Sequence, residues 1–387
     1  MLCPYREIPT YTGCMNLAIV CDWLTTFGGA ERTLAEFHAT WPESPIFTTV
    51  ARHNPLENFR HSNIYTSRLQ PLYRMIRKHQ VLLPLMPRAI EHVDLRGFDV
   101  IVSSSHAVGK GIIPPSGSVH VCYCHTPMRY AWEMEKEYLE DFRVPRLLQG
   151  HVKRMLSKLR RWDLSTAKRV DVFIANSTET ARRIERIYGR DSIVISPPVH
   201  DRFFQTPLIP AEGRQTFLAV GRLVPYKRFD LLIEAANALQ FPLTIAGTGQ
   251  EEQRLRSLAG PTVTFRGQVT DEELPELYAS AKALLFPAHE DAGLVPVEAQ
   301  ACGTPVIAYA KGGTLDTVLS GKTGLFFNEQ SVESLQEAME KFSQWTFNPE
   351  NVREHARQFS SAGFRDRISA EVQQAWECYH PRHATCI

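Results

Sequence analysis

The feature that most constrains this chain is a rhythm. Short apolar, β-branched runs are each followed by a stretch of helical periodicity, in two blocks divided by a proline-rich segment. In the first block the runs are Leu17 to Cys21, Val100 to Ser103, Val119 to Cys122 and Val172 to Ala175. In the second they are Thr216 to Val220, Leu243 to Ala246, Val263 to Arg266, Ala283 to Phe286 and Pro305 to Tyr309, with helical patterns in FDLLIEAANAL, DEELPELYASA and VESLQEAMEKF. Such alternation builds parallel sheets covered by helices, so the expected class is α/β, with two Rossmann-like, doubly wound domains. Between the blocks lies ISPPVHDRFFQTPLIPAEGRQ, which places a hinge within Pro197 to Gly213. The expected domains are residues 1–198, with 1–14 read as a tail ahead of the first strand, then 199–364, and a helical segment 365–387. Two such halves imply a cleft, and open α/β sheets bind ligands at the carboxyl ends of their strands.

Charge and cysteine usage remove several function classes. Lys and Arg number 43 against 42 Asp and Glu, a net charge of +1, which argues against a nucleic-acid coat. No apolar run approaches the roughly 18 residues of a spanning helix, and residues 1–14 lack the apolar centre of a signal peptide, so a cytoplasmic location is expected. The eight cysteines are scattered without paired CxxC units, which predicts packing residues and neither a zinc site nor a disulfide framework.

The most informative segment is FPAHEDAGLVPVEAQACGTPVIAYAKGG, residues 286–313. A strand ends at Pro287, a loop carries Glu290, Asp291 and Gly293, and a helix with Pro296 in its first turn runs to Gly303. The backbone N–H groups of Gly293, Leu294 and Val295 then form a helix N-terminus suited to an anion such as a diphosphate. Glu290 precedes the helix and Glu298 is expected in its first turn, so one carboxylate can face the anion while the other reaches a vicinal hydroxyl pair. Upstream, GRLVPYKRFDLLIEA places Arg222 and Lys227 after a strand, where both cations can converge on a departing diphosphate. The turn at 246–249 (AGTG) is too incomplete a glycine pattern for a nicotinamide site.

In the first half, DWLTTFGGAER joins the first strand to a helix, and Gly28 and Gly29 permit close backbone approach to a ligand. YCHTPMRYAWE puts His125 at a strand end with aromatic neighbours. From Arg143 to Arg169 the chain carries nine Lys/Arg and one acid, Asp163, interleaved with Val152, Met155, Leu156, Leu159 and Trp162. That pattern reads either as a basic helix attracted to anionic lipid or as a surface helix docked through its apolar stripe. Arg68, Arg74, Arg77, Lys78 and Arg88 extend the same basic character.

Glu290 and Glu298 match the E-x7-E signature of the retaining glycosyltransferases of family 4, and the chain resembles that family from about Met15 to about Trp376. The resemblance implies the two-domain GT-B fold, with the second domain binding a nucleotide-sugar and the last helix crossing back to the first. It assigns Glu298 to the ribose, Glu290 to the donor sugar, the Asp291, Gly293, Leu294 and Val295 segment to the phosphates, and Arg222 and Lys227 to the leaving group. Gly249 and Val269 would line the base, and Gly28 and Gly29 would meet the donor phosphate and the acceptor. Many members carry an aromatic residue where this chain has Ala292.

The HTPMRY segment resembles the bacterial surface-polysaccharide subgroup, similar to O-antigen mannosyltransferases. There His125 lies beside the transferred sugar, while Arg129, Tyr130 and Trp132 shape acceptor recognition. The implied reaction is metal-independent, retaining transfer of a hexose, with GDP-mannose as donor, to a lipid-linked or glycan acceptor, at the inner face of an anionic membrane. Attack occurs on the face the leaving group departs from, and the departing phosphate oxygen takes the acceptor's proton. The alternatives are a UDP-glucose-type transferase, a nucleotide-sugar epimerase of the same fold, and a non-catalytic nucleotide-sugar-binding subunit.

Overall fold

The computed structural model describes residues 15–26, 28–52, 57–132 and 146–379. The chain divides into two units, Met1–Ser196 with Arg365–Ile387, and Pro197–Phe364.

The first unit is built on β1 (Leu17–Cys21), β2 (Ile46–Thr48), β3 (Ile64–Thr66), β4 (Val100–Ser105), β5 (Val119–Cys124), β6 (Val172–Ala175) and β7 (Ile193–Val194), in the spatial order β3-β2-β1-β4-β5-β6-β7. The second holds β8 (Thr216–Val220), β9 (Leu243–Ala246), β10 (Val263–Gly267), β11 (Ala281–Phe286), β12 (Val306–Tyr309) and β13 (Gly324–Phe327), in the order β10-β9-β8-β11-β12-β13. Each pairing is parallel. β1 and β4 are buried along their whole length, as strands covered by helices on both faces must be.

β2, β3, β7 and β13 are additions to the strands expected from sequence. The first three have only two or three residues, too few to display an alternating pattern. β13 opens with Gly324, which normally signals a break; here a Cβ would lie 2.1 Å from the Val306 carbonyl oxygen, so the strand needs glycine to approach β12.

The strand order reverses direction between β1 and β4 in the first unit, and between β8 and β11 in the second. In the first, β1 and β4 run in register up to Cys21 beside Ser104. In the second, β8 and β11 pair through Leu218 and Leu284. The crevice outside the carboxyl ends of strands at such a reversal is where open α/β sheets bind ligands. The fold therefore marks one favoured location in each unit.

The helices fix these sheets by burying one stripe each. Phe229–Leu239 packs Leu231, Leu232, Ile233, Ala235 and Ala236 into the second core. The basic helix Arg146–Thr166 docks through Leu156 and Leu159, leaving Lys153, Arg154, Lys158 and Arg161 exposed. Its apolar stripe is thus spent on the unit's own core; residues 143–145 lie outside the described part.

Asp163 on the same helix is fully buried with Lys110, whose Nζ lies 2.5 Å from Oδ1, while Trp132 and Tyr188 donate to Oδ2 at 2.7 and 2.8 Å. The donors around this carboxylate meet the condition under which a buried charge pair is tolerated.

The helix Ser361–Tyr379 passes from the second unit to the first. Within the first unit Arg365 reaches Glu36 at 2.6 Å and Arg367 donates to the Val194 carbonyl at 2.7 Å.

Cys21, Cys122, Cys124 and Cys302 are buried and Cys378 is exposed. Burial pushes the Cys122 and Cys302 thiols up to about 12, so they pack as neutral groups. Among the described residues no helix is long and apolar enough to cross a membrane.

Candidate active site

In the second unit the loop after β8 and the loop after β11 meet. Lys227 ends a one-turn 3-10 helix, Pro225–Lys227, and its Nζ lies 2.9 Å from Glu290 Oε1, with the two side chains 12% and 19% exposed. The approach depends on glycine. A Cβ on Gly221 would fall 2.7 Å from Lys227 Nζ, and one on Gly247, held at φ 135°, would fall 2.0 Å from the Gly221 carbonyl oxygen. Gly249 serves the same packing, because its Cβ would meet the Leu223 carbonyl oxygen at 2.2 Å. The AGTG turn therefore lies directly against the loop that carries Arg222 and Lys227. Arg222 is exposed, with no hydrogen bond or ion pair among the described residues. Val269 follows β10 and packs, half-buried, against the cluster containing Ala246.

The helix after β11 is Leu294–Ala301, capped by Gly293 at φ 65°. Leu294 and Val295 are its first two residues, so their N–H groups belong to the unsatisfied first turn and carry the positive end of the helix dipole. Glu298 is the fifth residue, one turn further in than the sequence reading placed it, and only 5% exposed. Pro296 stands third, within the first turn as the sequence reading has it, and the two residues ahead of it move Glu298 into the second turn. Glu298 Oε2 accepts a hydrogen bond of 3.0 Å from the hydroxyl of Tyr278, a fully buried residue of the helix Leu274–Ser280.

The loop carrying Glu290, Asp291 and Ala292 rests on Gly312 and Gly313, where added Cβ atoms would come within 2.2 Å of the Glu290 carbonyl oxygen and 2.5 Å of that of Asp291. The Gly313 N–H donates to the Glu290 carbonyl at 2.9 Å. Tyr278 and this double glycine were not singled out from sequence. The glycine pair was a visible signal; Tyr278, inside an ordinary helical pattern, was not.

In the first unit, Asp22 follows β1 directly and is 1% exposed. Its Oδ1 accepts the N–H groups of Ala107, Val108 and Gly109 at 3.2, 2.5 and 2.5 Å, and Oδ2 accepts the N–H of His106 at 2.7 Å. His106 Nδ1 lies 2.8 Å from Oδ2. Burial alone would raise the Asp22 carboxyl, but His106 and the ring of amides outweigh it and hold the group at about 2. Burial would lower His106, and the Asp22 carboxylate overrides it, so this imidazole sits above its ordinary value. Neither residue was singled out from sequence, although His106 closes the run SSSH that ends β4.

His125 follows β5, with Nε2 2.8 Å from Ser104 Oγ and its ring 5.1 Å from that of Tyr123. Burial and the neighbouring charge of His106 push it down to about 3, so it is neutral at physiological pH. His79 stacks on Trp23 at 4.6 Å and is driven down to about 4, mainly by burial. Gly28 caps the helix Gly29–Thr40, its N–H donating to Glu31 Oε2 at 2.9 Å.

Arg129, Tyr130 and Trp132 lie on the short helix Arg129–Trp132. The Trp132 indole is committed to Asp163, and the Tyr130 side chain lies outside the described part. Thus Lys227, Glu290, Gly249, Gly293 and Glu298 gather in the second unit, while Gly28, Gly29, His125 and the acceptor trio belong to the first.

Two Rossmann-like units of this kind, each with charged residues at its strand reversal, define the GT-B class of fold, and solved structures agree. The Anabaena protein HepE, whose crystal structure holds UDP and glucose, superposes with a TM-score of 0.68 at 18% identity, covering 93% of this chain and 100% of its own. Sucrose-phosphate synthase from Thermosynechococcus elongatus does so at 0.71 and 21%, covering 94% and 100%. The particular family follows from sequence. The family described as Glycosyl transferases group 1 matches residues 202–359, and Glycosyltransferase Family 4 matches 27–203. The chain belongs to glycosyltransferase family 4.

Among its relatives are D-inositol 3-phosphate glycosyltransferase of Gordonia bronchialis, 29% identical over 55% of this chain and 54% of the relative. The GDP-mannose-dependent alpha-(1-6)-phosphatidylinositol monomannoside mannosyltransferase of Mycobacterium tuberculosis is 33% identical over 44% and 51%. The chain spans about half the length of the curated relatives it matches.

Proposed function

We propose that this chain is a retaining hexosyltransferase that moves mannose from GDP-mannose to a hydroxyl of a lipid-linked or glycan acceptor in polysaccharide or glycolipid synthesis. The observation that carries the reading is the Lys227–Glu290 pair at the β8/β11 reversal, beside the helix N-terminus at Gly293, Leu294 and Val295. In this reading the diphosphate displaces Glu290 as partner of the Lys227 ammonium, and Glu290 turns to the sugar. Arg222 supplies a second cation, and the amides of the helix N-terminus grip the phosphate oxygens. In this reading these groups meet the negative charge that grows as the glycosidic bond breaks. Glu298, steadied by Tyr278, accepts the ribose hydroxyls. His125, held neutral, acts by hydrogen bonding to the sugar and not as an acid.

The charge that neutralises the leaving group is part of the chain itself, so the proposed reaction needs no divalent ion. The 33% identity to a GDP-mannose-dependent relative supports the choice of donor. The test is incubation of the protein with radiolabelled GDP-mannose or UDP-glucose and a chloroform–methanol extract of bacterial membranes. Label is expected in the organic phase from GDP-mannose alone, unchanged by EDTA, with GDP raising the melting temperature more than UDP. Preference for UDP-glucose would replace the donor assignment. Solvent deuterium incorporated into the sugar without an acceptor would indicate an epimerase, and donor binding without transfer a non-catalytic subunit.

The exposed Lys153, Arg154, Lys158 and Arg161 support peripheral attachment to the cytoplasmic face of an anionic membrane. Since the apolar stripe of that helix is buried, attachment through it is electrostatic. Sedimentation with phosphatidylglycerol vesicles should therefore disappear in high salt.

A further inference from the structure

We propose that the turn between the helices Gln70–Ile76 and His79–Leu82 inserts into an anionic bilayer, with Met75, Ile76, Val81 and Leu85 entering the boundary between headgroups and acyl chains. The surface belongs wholly to the first unit. Its use in catalysis rests on the lipid-linked acceptor reading above, which it deepens.

These four large apolar side chains are exposed within eleven residues, Met75 at 82% and Val81 at 57%. No other stretch of that length among the described residues exposes more than two. Leu69, Leu72 and Tyr73 pack on the core of the unit, as do Leu82 and Leu83, so the inner face of both helices is already spent. A second, outward apolar set has no place to go within the unit, and such a patch marks a surface that meets another nonpolar phase.

Charge decides which phase. Between Glu57 and Glu91 the sequence holds no acidic residue. Arg68, Arg74, Arg77, Lys78 and Arg88 fall in that interval; all are exposed, and none has an ion pair or a side-chain hydrogen bond among the described residues. Arg77 occupies the turn itself at φ 54°, a left-handed conformation that glycine adopts at lower cost, so the turn carries a cation against the local backbone preference. Long cationic side chains around aliphatic ones match lipid phosphates above an acyl layer. A second copy of the same face would set these cations against their like, which disfavours self-association through it.

The turn is also tied to the ligand end of the sheet. The Gln70 side-chain amide donates to the Ala51 carbonyl at 2.7 Å and accepts the Ala51 N–H at 2.8 Å, in the loop after β2. His79 Nδ1 lies 2.9 Å from Thr25 Oγ1 and its ring stacks on Trp23, both in the loop after β1. Insertion therefore holds the carboxyl ends of β1 and β2 at the bilayer surface, where the hydroxyl of a lipid-linked acceptor lies. The cations draw the turn to the surface and the apolar groups hold it there; stable attachment takes two such signals.

The test measures sedimentation with phosphatidylglycerol vesicles at low salt, without sugar nucleotide, and the rise in surface pressure of a phosphatidylglycerol monolayer. Wild type is compared with Met75→Ser combined with Val81→Ser and Leu85→Ser, which keeps every cation. The combined variant should bind vesicles about tenfold or more weakly and lose monolayer insertion, with its melting temperature unchanged. Met75→Ser alone should lower affinity in the same direction, and it carries the test where the combined variant does not fold. Combined-variant affinity within about twofold of wild type, no insertion by wild type, or equal wild-type binding to phosphatidylcholine would overturn the proposal. So would a wild-type dimer in sedimentation equilibrium that the combined variant lacks, which would make a second copy the occupant. In the transfer assay the combined variant should label the vesicle-borne acceptor more slowly while its GDP thermal shift is retained, and equal rates would count against it. Failure of the transferase reading is separately visible, because wild type would then insert yet transfer no label from any donor.

Discussion

The two units place a charged pair at equivalent points, and the pairs are built differently. In the second unit Lys227 and Glu290 meet at 2.9 Å on loops packed through glycines, both partly open to solvent. In the first unit His106 and Asp22 meet at 2.8 Å, with the carboxylate enclosed by amides. One pair joins an ammonium to a carboxylate on two adjoining loops; the other joins an imidazole to a carboxylate fixed by backbone amides. The same α/β frame thus presents an ammonium–carboxylate pair in one half and an imidazole–carboxylate pair in the other. The difference arises in the loops after the strands and not in the sheets.

The largest effect should come from the second pair. Lys227→Met removes the cation proposed to meet the leaving diphosphate and should slow transfer by about 100- to 1,000-fold, the usual cost of losing one such donor. The melting temperature should change little, because the pair is partly solvated. Initial rates with saturating donor measure this, and a tenfold or smaller loss would mean the diphosphate is held elsewhere.

The first unit should instead show its character in acid. His120, fully buried between Ser103 Oγ at 2.8 Å and the Arg169 carbonyl at 3.1 Å, is pushed down to about 4, principally by burial. As pH falls from the ordinary histidine value, the unfolded chain binds this proton and the folded one does not, so stability is lost until the folded value is reached. The loss is about 3 kcal/mol for a shift of this size. His120→Gln should flatten that part of the curve of stability against pH.

The Asp22–His106 pair runs otherwise. The His106 contribution is complete below about 6.5 and lost as pH rises through its raised folded value. That of Asp22 is present above about 3.8 and lost as pH falls through about 2. Urea denaturation of wild type and His106→Gln at several pH values separates the two signs.

Glycine packing supplies the next contrast. Gly247→Ala would put a methyl 2.0 Å from the Gly221 carbonyl oxygen at a left-handed φ, and should cost about 2 kcal/mol or more together with donor affinity. Gly117, also at positive φ but with nothing within 4 Å, should cost only about 1 kcal/mol as alanine. Equal losses for the two would show that the AGTG turn has no special link to the donor loop.

The central strands were readable from sequence because they are apolar runs of four or more residues bounded by turn signals, as in Thr216–Val220 and Val119–Cys124, whereas β2, β3 and β7 are too short to show a pattern. The meeting of Lys227 and Glu290 was legible because the two short motifs that carry them each follow a strand expected from sequence. What escaped depends on contacts between distant residues. Asp22 meets the amides of residues 106–109 only because β1 and β4 are neighbours in space. An Asp followed by Trp, and a His after three serines, carry no mark of their meeting. The depth of Glu298 escaped for a local reason, since proline is tolerated anywhere in the first helical turn and does not fix its register.

Tyr278 offers the smallest effect and the finest test of how the second unit grips its nucleotide. Its hydroxyl donates to Glu298 Oε2 at 3.0 Å in a fully buried setting, so Tyr278→Phe leaves the cavity filled and removes one hydrogen bond from a carboxylate. Such bonds contribute about 1.5 to 3 kcal/mol, part of which solvent or a ligand recovers. If Glu298 accepts the ribose hydroxyls in both ground and transition states, the variant should bind GDP about tenfold more weakly while the rate at saturating donor stays nearly unchanged, since uniform binding affects KM and not kcat. A fall in kcat with unaltered GDP affinity would instead place Glu298 at the reacting centre and bring its role close to that of Glu290.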